Sequence, residues 1–251
     1  MPLLKLTDYT GLPVRVKNFA WSISKLKDFD TCPLKGWAQS FAPEPYRTVY
    51  VETDAKRRGN QIHQAFEMAV KDGSYQLPLE YQHLQRWLDH LAVLPGQHRA
   101  EWKYAFTREW TPVAWDRWNQ VWVRMALDFT AFDVHHAIIV DYKDGKSKNV
   151  KDDLQLKLNA LAAFTESAID RVYAGFWFWN ENKVIKQEYD RREANSFKVA
   201  FEEMVKPLED AFHTGTFPPK KNGLCKEWCP NSFCPHWGGG AKCSQNILIQ
   251  E

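Results

Sequence analysis

The sequence predicts a mixed α/β domain, and three observations predict it. Amphipathic stretches of helical spacing recur between Ser22 and about residue 94. The middle of the chain then switches to period-two segments rich in Val, Ile, Trp, Tyr and Phe. One apolar stretch of helical period interrupts those segments, and another helix follows them. With 251 residues, 44% hydrophobic and 25% charged, the chain has the composition of a globular protein with a substantial core. That composition excludes a disordered chain, a collagen-like repeat and a disulfide-packed mini-protein. No internal repeat and no low-complexity linker divides it.

Residues 1 to 20 carry no usable pattern. From Ser22, SISKLKDFDTCP reads as a short helix capped by Ser22 or Ser24, with Ile23, Leu26 and Phe29 on one face and Pro33 ending it. A second helix is expected from about Thr53 to Lys71, facing a core with Ile62, Phe66, Ala69 and Val70. Gly73, Pro78 and Pro95 punctuate a third helical stretch around YQHLQRWLDHLAVL. The expected strands are AEWKYAFTREW, NQVWVRMALDFTAF, HHAIIVDYKDGK, RVYAGFWFWN and KVIKQEYD. Between the third and fourth, DDLQLKLNALAAFTESAI is a crossover helix started by Asp152 or Asp153 and lined by Leu154, Leu158, Leu161 and Phe164. A last helix runs from about Glu193 to Phe212. The expected organisation is one domain over 1–251: an extension at 1–20, a helical part at 21–98, an α/β core at 99–213 and a cysteine-rich tail at 214–251.

Lys and Arg number 33 against 31 Asp and Glu, so the net charge of +2 points to no particular partner. Twelve Trp, 15 Phe and nine Tyr suit stacking on unpaired bases, although Trp also simply fills cores. No apolar run approaches the length of a bilayer span. The opening MPLLKLTDYTGLPVRVKN is broken by charge and Pro before a signal-peptide core, so a cytoplasmic protein without membrane contact is expected. Five Cys, an odd number, then point to metal binding or free thiols rather than a disulfide framework.

The chemistry begins in HHAIIVDYKDGK, where alternation sets Asp141 and Lys143 on one face of a strand that its apolar run marks as buried. Buried charges of that kind need a partner or a bound ion. In the preceding strand, Val121, Val123, Met125 and Leu127 form one face, and Trp122, Arg124, Ala126 and Asp128 the other. Asp128 is expected to end that strand, and a hairpin-like return would bring it beside Asp141. Two such carboxylates repel unless a divalent cation lies between them, and hard oxygen ligands favour Mg²⁺ or Mn²⁺. An Asp followed by Asp-x-Lys is suited to phosphodiester hydrolysis, with Lys143 steadying developing charge or helping to activate water. Gly59 and His63 in RRGNQIHQAFE fall on one face of a helix. There Gly would allow close backbone approach and His63 would offer an imidazole to the same metal. Gln155, early on the crossover helix, is placed to touch the substrate or its water.

The ordered set SISKLKDFDTCP, RRGNQIH, LDF, IVDYKDGK and DLQLKLNA resembles the RecB-type branch of the PD-(D/E)xK nuclease superfamily. The match runs from about Ser22 to Leu161, and to about Cys234 with the cysteines. The resemblance implies a restriction-endonuclease-like core with a central mixed sheet flanked by helices. It also implies His63, Asp128 and Asp141 as metal ligands, Lys143 as catalytic lysine and Gln155 as the trailing glutamine. Glu101, opening the first strand, resembles an auxiliary acid of relatives. Two departures are visible: Met125 and Ala126 stand where the branch often has Gly, and Asn159 where it often has Tyr.

A narrower resemblance lies in the cysteines. The AddB subunit and certain CRISPR-associated nucleases hold a 4Fe–4S cluster with one Cys from an N-terminal Cys-Pro helix and three from a C-terminal segment. Cys32, Cys225, Cys229 and Cys234 copy that distribution and would staple the chain ends together. Zinc held by Cys225, Cys229, Cys234 and either His236 or Cys243 is the alternative. The implied activity is metal-dependent cleavage of DNA, with an exonuclease on single strands or ends expected. The alternatives are an endonuclease of the same fold or a non-catalytic nucleic-acid-binding protein. A helicase, recombination or CRISPR partner and a bacterial or phage-infected cell belong to the same implication. Gly145-Lys146-Ser147 imitates the end of a P-loop, but Val140 stands where that loop needs Gly. The basic groups Lys56-Arg57-Arg58, Lys146, Lys148 and Lys151, and Lys220-Lys221 would track a phosphate backbone.

Overall fold

Pro33 both ends one helix and starts another. Helix α1 (Ile23–Thr31) is capped by Ser22, whose hydroxyl accepts the Lys25 N–H at 3.4 Å. Helix α2 (Pro33–Ser40) begins on the proline itself, because a ring with fixed φ and no N–H suits the first helical position. The single helix expected here is therefore corrected to two. Gly36 lets them meet, since a methyl there would come within 2.9 Å of Phe29 Cα.

The structure is a computed structural model that describes residues 8–48, 53–150 and 152–239, so Lys151 and Cys243 lie outside the described residues. The chain divides into two compact units, one made of 1–51 with 201–251 and the other of 52–200. The first unit contains α1, α2, most of α6 (Ala194–Thr214) and the cysteine-bearing end. Its core is aromatic: Trp21, Trp37, Phe41, Phe201 and Phe217 are all but completely buried, beside Leu26 and Leu34. The Trp37 indole N–H donates to the Pro13 carbonyl at 2.9 Å.

In the second unit, α3 (Asp54–Lys71) starts on Thr53, whose hydroxyl accepts the Lys56 N–H. A 3₁₀ segment, Leu79–Leu84, leads into α4 (Gln85–Ala92), so the third helical stretch is α-helical only in its second half. The sheet contains β1 (Gln97–Phe106), β2 (Val123–Phe132), β3 (His136–Lys143), β4 (Arg171–Phe178) and β5 (Lys183–Asp190), side by side in chain order. Only β3 and β4 are parallel, and α5 (Leu154–Glu166) supplies the crossover such a pair requires. This is the expected mixed sheet flanked by helices.

On one face Ile62, Phe66 and Ala69 of α3 and Leu88 and Leu91 of α4 pack with Phe129, Ala131, Val140 and Tyr142. Helix α5, with Leu156, Leu158 and Leu161 buried, packs on β3 and β4. Both ends of β1 and of β2 differ from expectation. Strand β1 starts three residues earlier and stops at Phe106, where a turn closed by the Trp110 N–H on Thr107 takes over. Strand β2 starts only at Val123. Asp128 does not end it, because residues 129–132 continue and pair with 137–140. Among the described residues no helix is long and apolar enough to cross a membrane.

Candidate functional site

Strand register lines up three acids across three strands. Phe129 pairs with Val140 across β2 and β3, while Ala100 and Trp102 pair with Phe129 and Leu127 across β1 and β2. The β1–β2 pairs bracket Glu101 and Asp128, and Asp128 and Asp141 are the next residues beyond the last β2–β3 pair. Glu101 therefore lies inside β1 rather than at its opening, and its φ of 46° is left-handed, which interrupts the pairing at this row. From α3, His63 Nδ1 approaches Glu101 Oε1 and Asp128 Oδ1, each at 3.6 Å. The rings of Tyr142 and Trp179 meet the imidazole edge-on at 5.5 and 5.7 Å. Among the described residues, His63, Glu101 and Asp128 form the one group of three presenting ligand atoms within 4.8 Å of one another.

Asp141 is next to this group and 1% exposed. The Lys143 ammonium is 2.5 Å from its Oδ2, yet that oxygen receives no well-directed hydrogen bond. Its Oδ1 accepts from the Gln155 side-chain amide, whose oxygen in turn accepts from Lys143 Nζ at 3.1 Å. Asp141, Lys143 and Gln155 thus form a closed triangle, made possible because the crossover helix begins with Gln155 in its first turn. Asp128 Oδ2 accepts the backbone N–H of Tyr142 at 2.7 Å.

Burial raises the Asp128 carboxyl to about 8; the charge of Asp141 adds to this and His63 opposes it. Burial likewise raises Asp141, against the pull of Lys143. For His63 burial opposes protonation, but contact with Glu101 and the charges of Asp128, Glu101 and Asp141 outweigh it, so its affinity for a proton rises. Crowded anionic oxygens, one imidazole and a buried carboxylate oxygen without a directed donor are the donor set of a hard divalent cation. The residues fit such an ion. The sequence expectation paired His63 with Asp128 and Asp141; the structure also brings Glu101 into contact with His63.

Asp144, which sequence reasoning passed over, anchors the turn after Lys143. It pairs with Arg58 of α3 at 3.1 Å and accepts from the Trp179 indole and the Asn180 amide. The doubled acid in DYKDGK was its only signal. Gly59 lines the same cleft, but a methyl there would meet nothing closer than Asp144 Cβ at 4.0 Å. Close backbone approach is therefore not its role. Lys56 lines the cleft as well, while Arg57 pairs with Asp54.

In the first unit, Cys32, Cys225, Cys229 and Cys234 line one small cavity with Leu34, Lys35, Lys220 and Leu224. Backbone N–H groups of Lys220 and Asn222 point at the sulfurs of Cys32 and Cys225 at 3.3 and 3.4 Å. Burial raises the thiols of Cys229 and Cys234, and the other sulfurs of the cavity add to it. Among the described residues no three of these sulfurs lie within 4.8 Å of one another.

Among solved structures, the crystal structure of SSO0001 is similar at 13% identity over 89% of this chain and 89% of that one, with a TM-score of 0.39. No curated protein matches the chain. The model of the PD-(D/E)XK nuclease superfamily matches residues 20–235, which take in all five strands and both side-chain clusters, and the chain belongs to that superfamily.

Proposed function

We propose that this nuclease is a Mg²⁺- or Mn²⁺-dependent deoxyribonuclease that hydrolyses phosphodiester bonds, acting as an exonuclease on single-stranded DNA or DNA ends. The observation that carries the catalytic part is the triangle of Asp141, Lys143 and Gln155 beside His63, Glu101 and Asp128. Nucleases of this superfamily typically use divalent metals. His63, Glu101, Asp128 and Asp141 are the residues that would hold one. When bound, it polarises the scissile phosphate and lowers the pKa of its water. Lys143 Nζ offers its charge to the phosphoryl oxygens as negative charge develops on them. Gln155 keeps that ammonium and Asp141 in one geometry. His63 packs against both Tyr142 and Trp179 and keeps its ring nitrogen aimed at the carboxylates. The preference for ends and single strands follows from the resemblance to the RecB-type branch, as does a helicase, recombination or CRISPR partner.

We infer a 4Fe–4S cluster in the cysteine cavity, with a structural role. Four thiols on one cavity, Cys32 among them, are the number that such a cluster needs. The N–H groups aimed at two sulfurs and the flanking Lys35 and Lys220 suit an anionic cluster.

The decisive experiment uses end-labelled single- and double-stranded linear DNA with a circular control, for wild type and Lys143→Ala, with Mg²⁺, Mn²⁺ or chelator. Metal-dependent degradation of linear DNA only, lost in the variant, is expected. Cutting of circles would make the enzyme an endonuclease. Binding without cleavage in either metal, by protein with its cluster intact, would remove the catalytic claim.

A further inference from the structure

The connection between β1 and β2 carries a stack of side chains that the acidic cluster does not use. Arg124 lies on β2, on the same face as Asp128 and four residues before it, about 13 Å along the strand. Its guanidinium carbon lies 3.5 Å from the centre of the Trp115 ring and 4.0 Å from that of Trp118, so two indoles crowd one cation. Lys103, the register partner of Ala126, brings its ammonium to 6.0 Å from Trp115. No carboxylate pairs with Arg124 among the described residues, and its Nε is buried without a hydrogen-bond partner. Trp118 is 52% exposed.

A guanidinium against two rings stabilises a loop in its own right. That role needs neither a half-exposed indole nor a buried N–H without an acceptor. It also does not account for position: Ala105 is the register partner of Arg124, and between that row and the acids the floor is Ala126 with exposed Lys103 beside it. Aromatic rings for bases, with cations beside them for phosphates, on the strand face that leads to a phosphodiester site, complement one ligand class.

The geometry points to a docking shelf for single-stranded nucleic acid. Trp118 stacks on an unpaired base, the positive charges of Arg124 and Lys103 attract phosphates, and the strand continues over Ala126 to the acids. That the strand is then cut rests on the nuclease reading; that it binds here does not.

The test is fluorescence anisotropy in chelator, where hydrolysis plays no part. Wild type, Trp118→Ala, Trp118→Phe and Arg124→Gln are titrated with a single-stranded oligonucleotide, its duplex, and the same strand without bases. Loss of one base stack predicts roughly five- to 150-fold weaker single-strand binding for Trp118→Ala. Trp118→Phe should stay near wild type, duplex binding should change less than twofold, and the base-free strand should not distinguish Trp118→Ala from wild type. Equal losses on single strand and duplex, equal losses on the base-free strand, or no loss would overturn the shelf. So would a wild type that does not bind single strands, including one whose tryptophans instead engage a protein. A shelf confirmed in protein that cuts nothing would separate this inference from the nuclease reading.

Discussion

Asp128 accepts the backbone N–H of Tyr142 at 2.7 Å, so the acid of β2 is fastened to the strand that carries Asp141. The two carboxylates cannot move apart to relieve their repulsion without breaking that bond. Protonation or a cation must do so instead. Asp128 binds its proton more tightly in the folded chain, at about 8, than its ordinary value of 3.8. Its contribution to stability is therefore complete below about pH 4 and is lost as the pH rises to about 8. The raised affinities of Asp141 and His63 act in the same direction. Metal-free protein should melt at progressively lower temperature across that range, and Mg²⁺ or Mn²⁺ should restore more at pH 8 than at pH 5. Asp128→Asn should flatten the profile. An unchanged slope in that variant would contradict this reading.

Lys143→Ala should reduce hydrolysis by about a hundredfold or more, the usual effect of removing a charge aimed at a transition state. Binding of single-stranded DNA in chelator should persist, because Lys143 lies beyond the tryptophan shelf. Equal loss of binding and cleavage would mean that the lysine only holds the strand.

Gln155→Ala should act through its neighbours. With the amide gone, Lys143 keeps Asp141 but loses its second anchor, so turnover should fall roughly tenfold to a hundredfold with KM little changed. Gln155→Glu should be worse at low metal concentration, because it adds a charge beside a buried carboxylate. A Gln155→Ala enzyme with wild-type turnover would leave the amide with a packing role only.

Cys32→Ser should abolish iron and sulfide incorporation in anaerobically purified protein and lower its melting temperature. Metal analysis reads the outcome directly: retained iron would show that Cys32 is not a ligand, and stoichiometric zinc in wild type would replace the cluster.

Gly36→Val should destabilise the first unit by about 1–3 kcal/mol, the ordinary cost of overpacking. The added side chain would push into the Phe29 backbone where α1 meets α2. Thermal denaturation measures it, and a loss below 0.5 kcal/mol would mean that the helices separate easily.

Much of the fold was legible because periodicity carries it: the five strands and the crossover helix follow their apolar alternation. The second N-terminal helix was not, since Pro33 signals a stop and a start in the same letter. Strand ends were poorly marked because Trp and Phe continue into the β1–β2 turn, so Asp128 looked terminal when it is central. In the site, alternation set Asp141 and Lys143 on one strand face, while Gln155 and Glu101 entered as site residues only through the family resemblance, and the left-handed turn of Glu101 inside the strand was invisible. Asp144 was passed over, because an anchor between a turn and a distant helix depends on tertiary contacts.

The cysteine cavity draws on both ends of the described chain: Cys32 and Lys220, whose N–H points at its sulfur, are 188 positions apart. During synthesis the sheet-bearing unit is continuous and has all its strands early, while Cys32 must wait for the last cysteines to leave the ribosome. Closing so long a loop carries an entropic penalty that a bound cluster would offset. Filling the cavity would thus be a late maturation step, and a polypeptide released before Cys225 would carry a sheet and acids but no means of completing its other half.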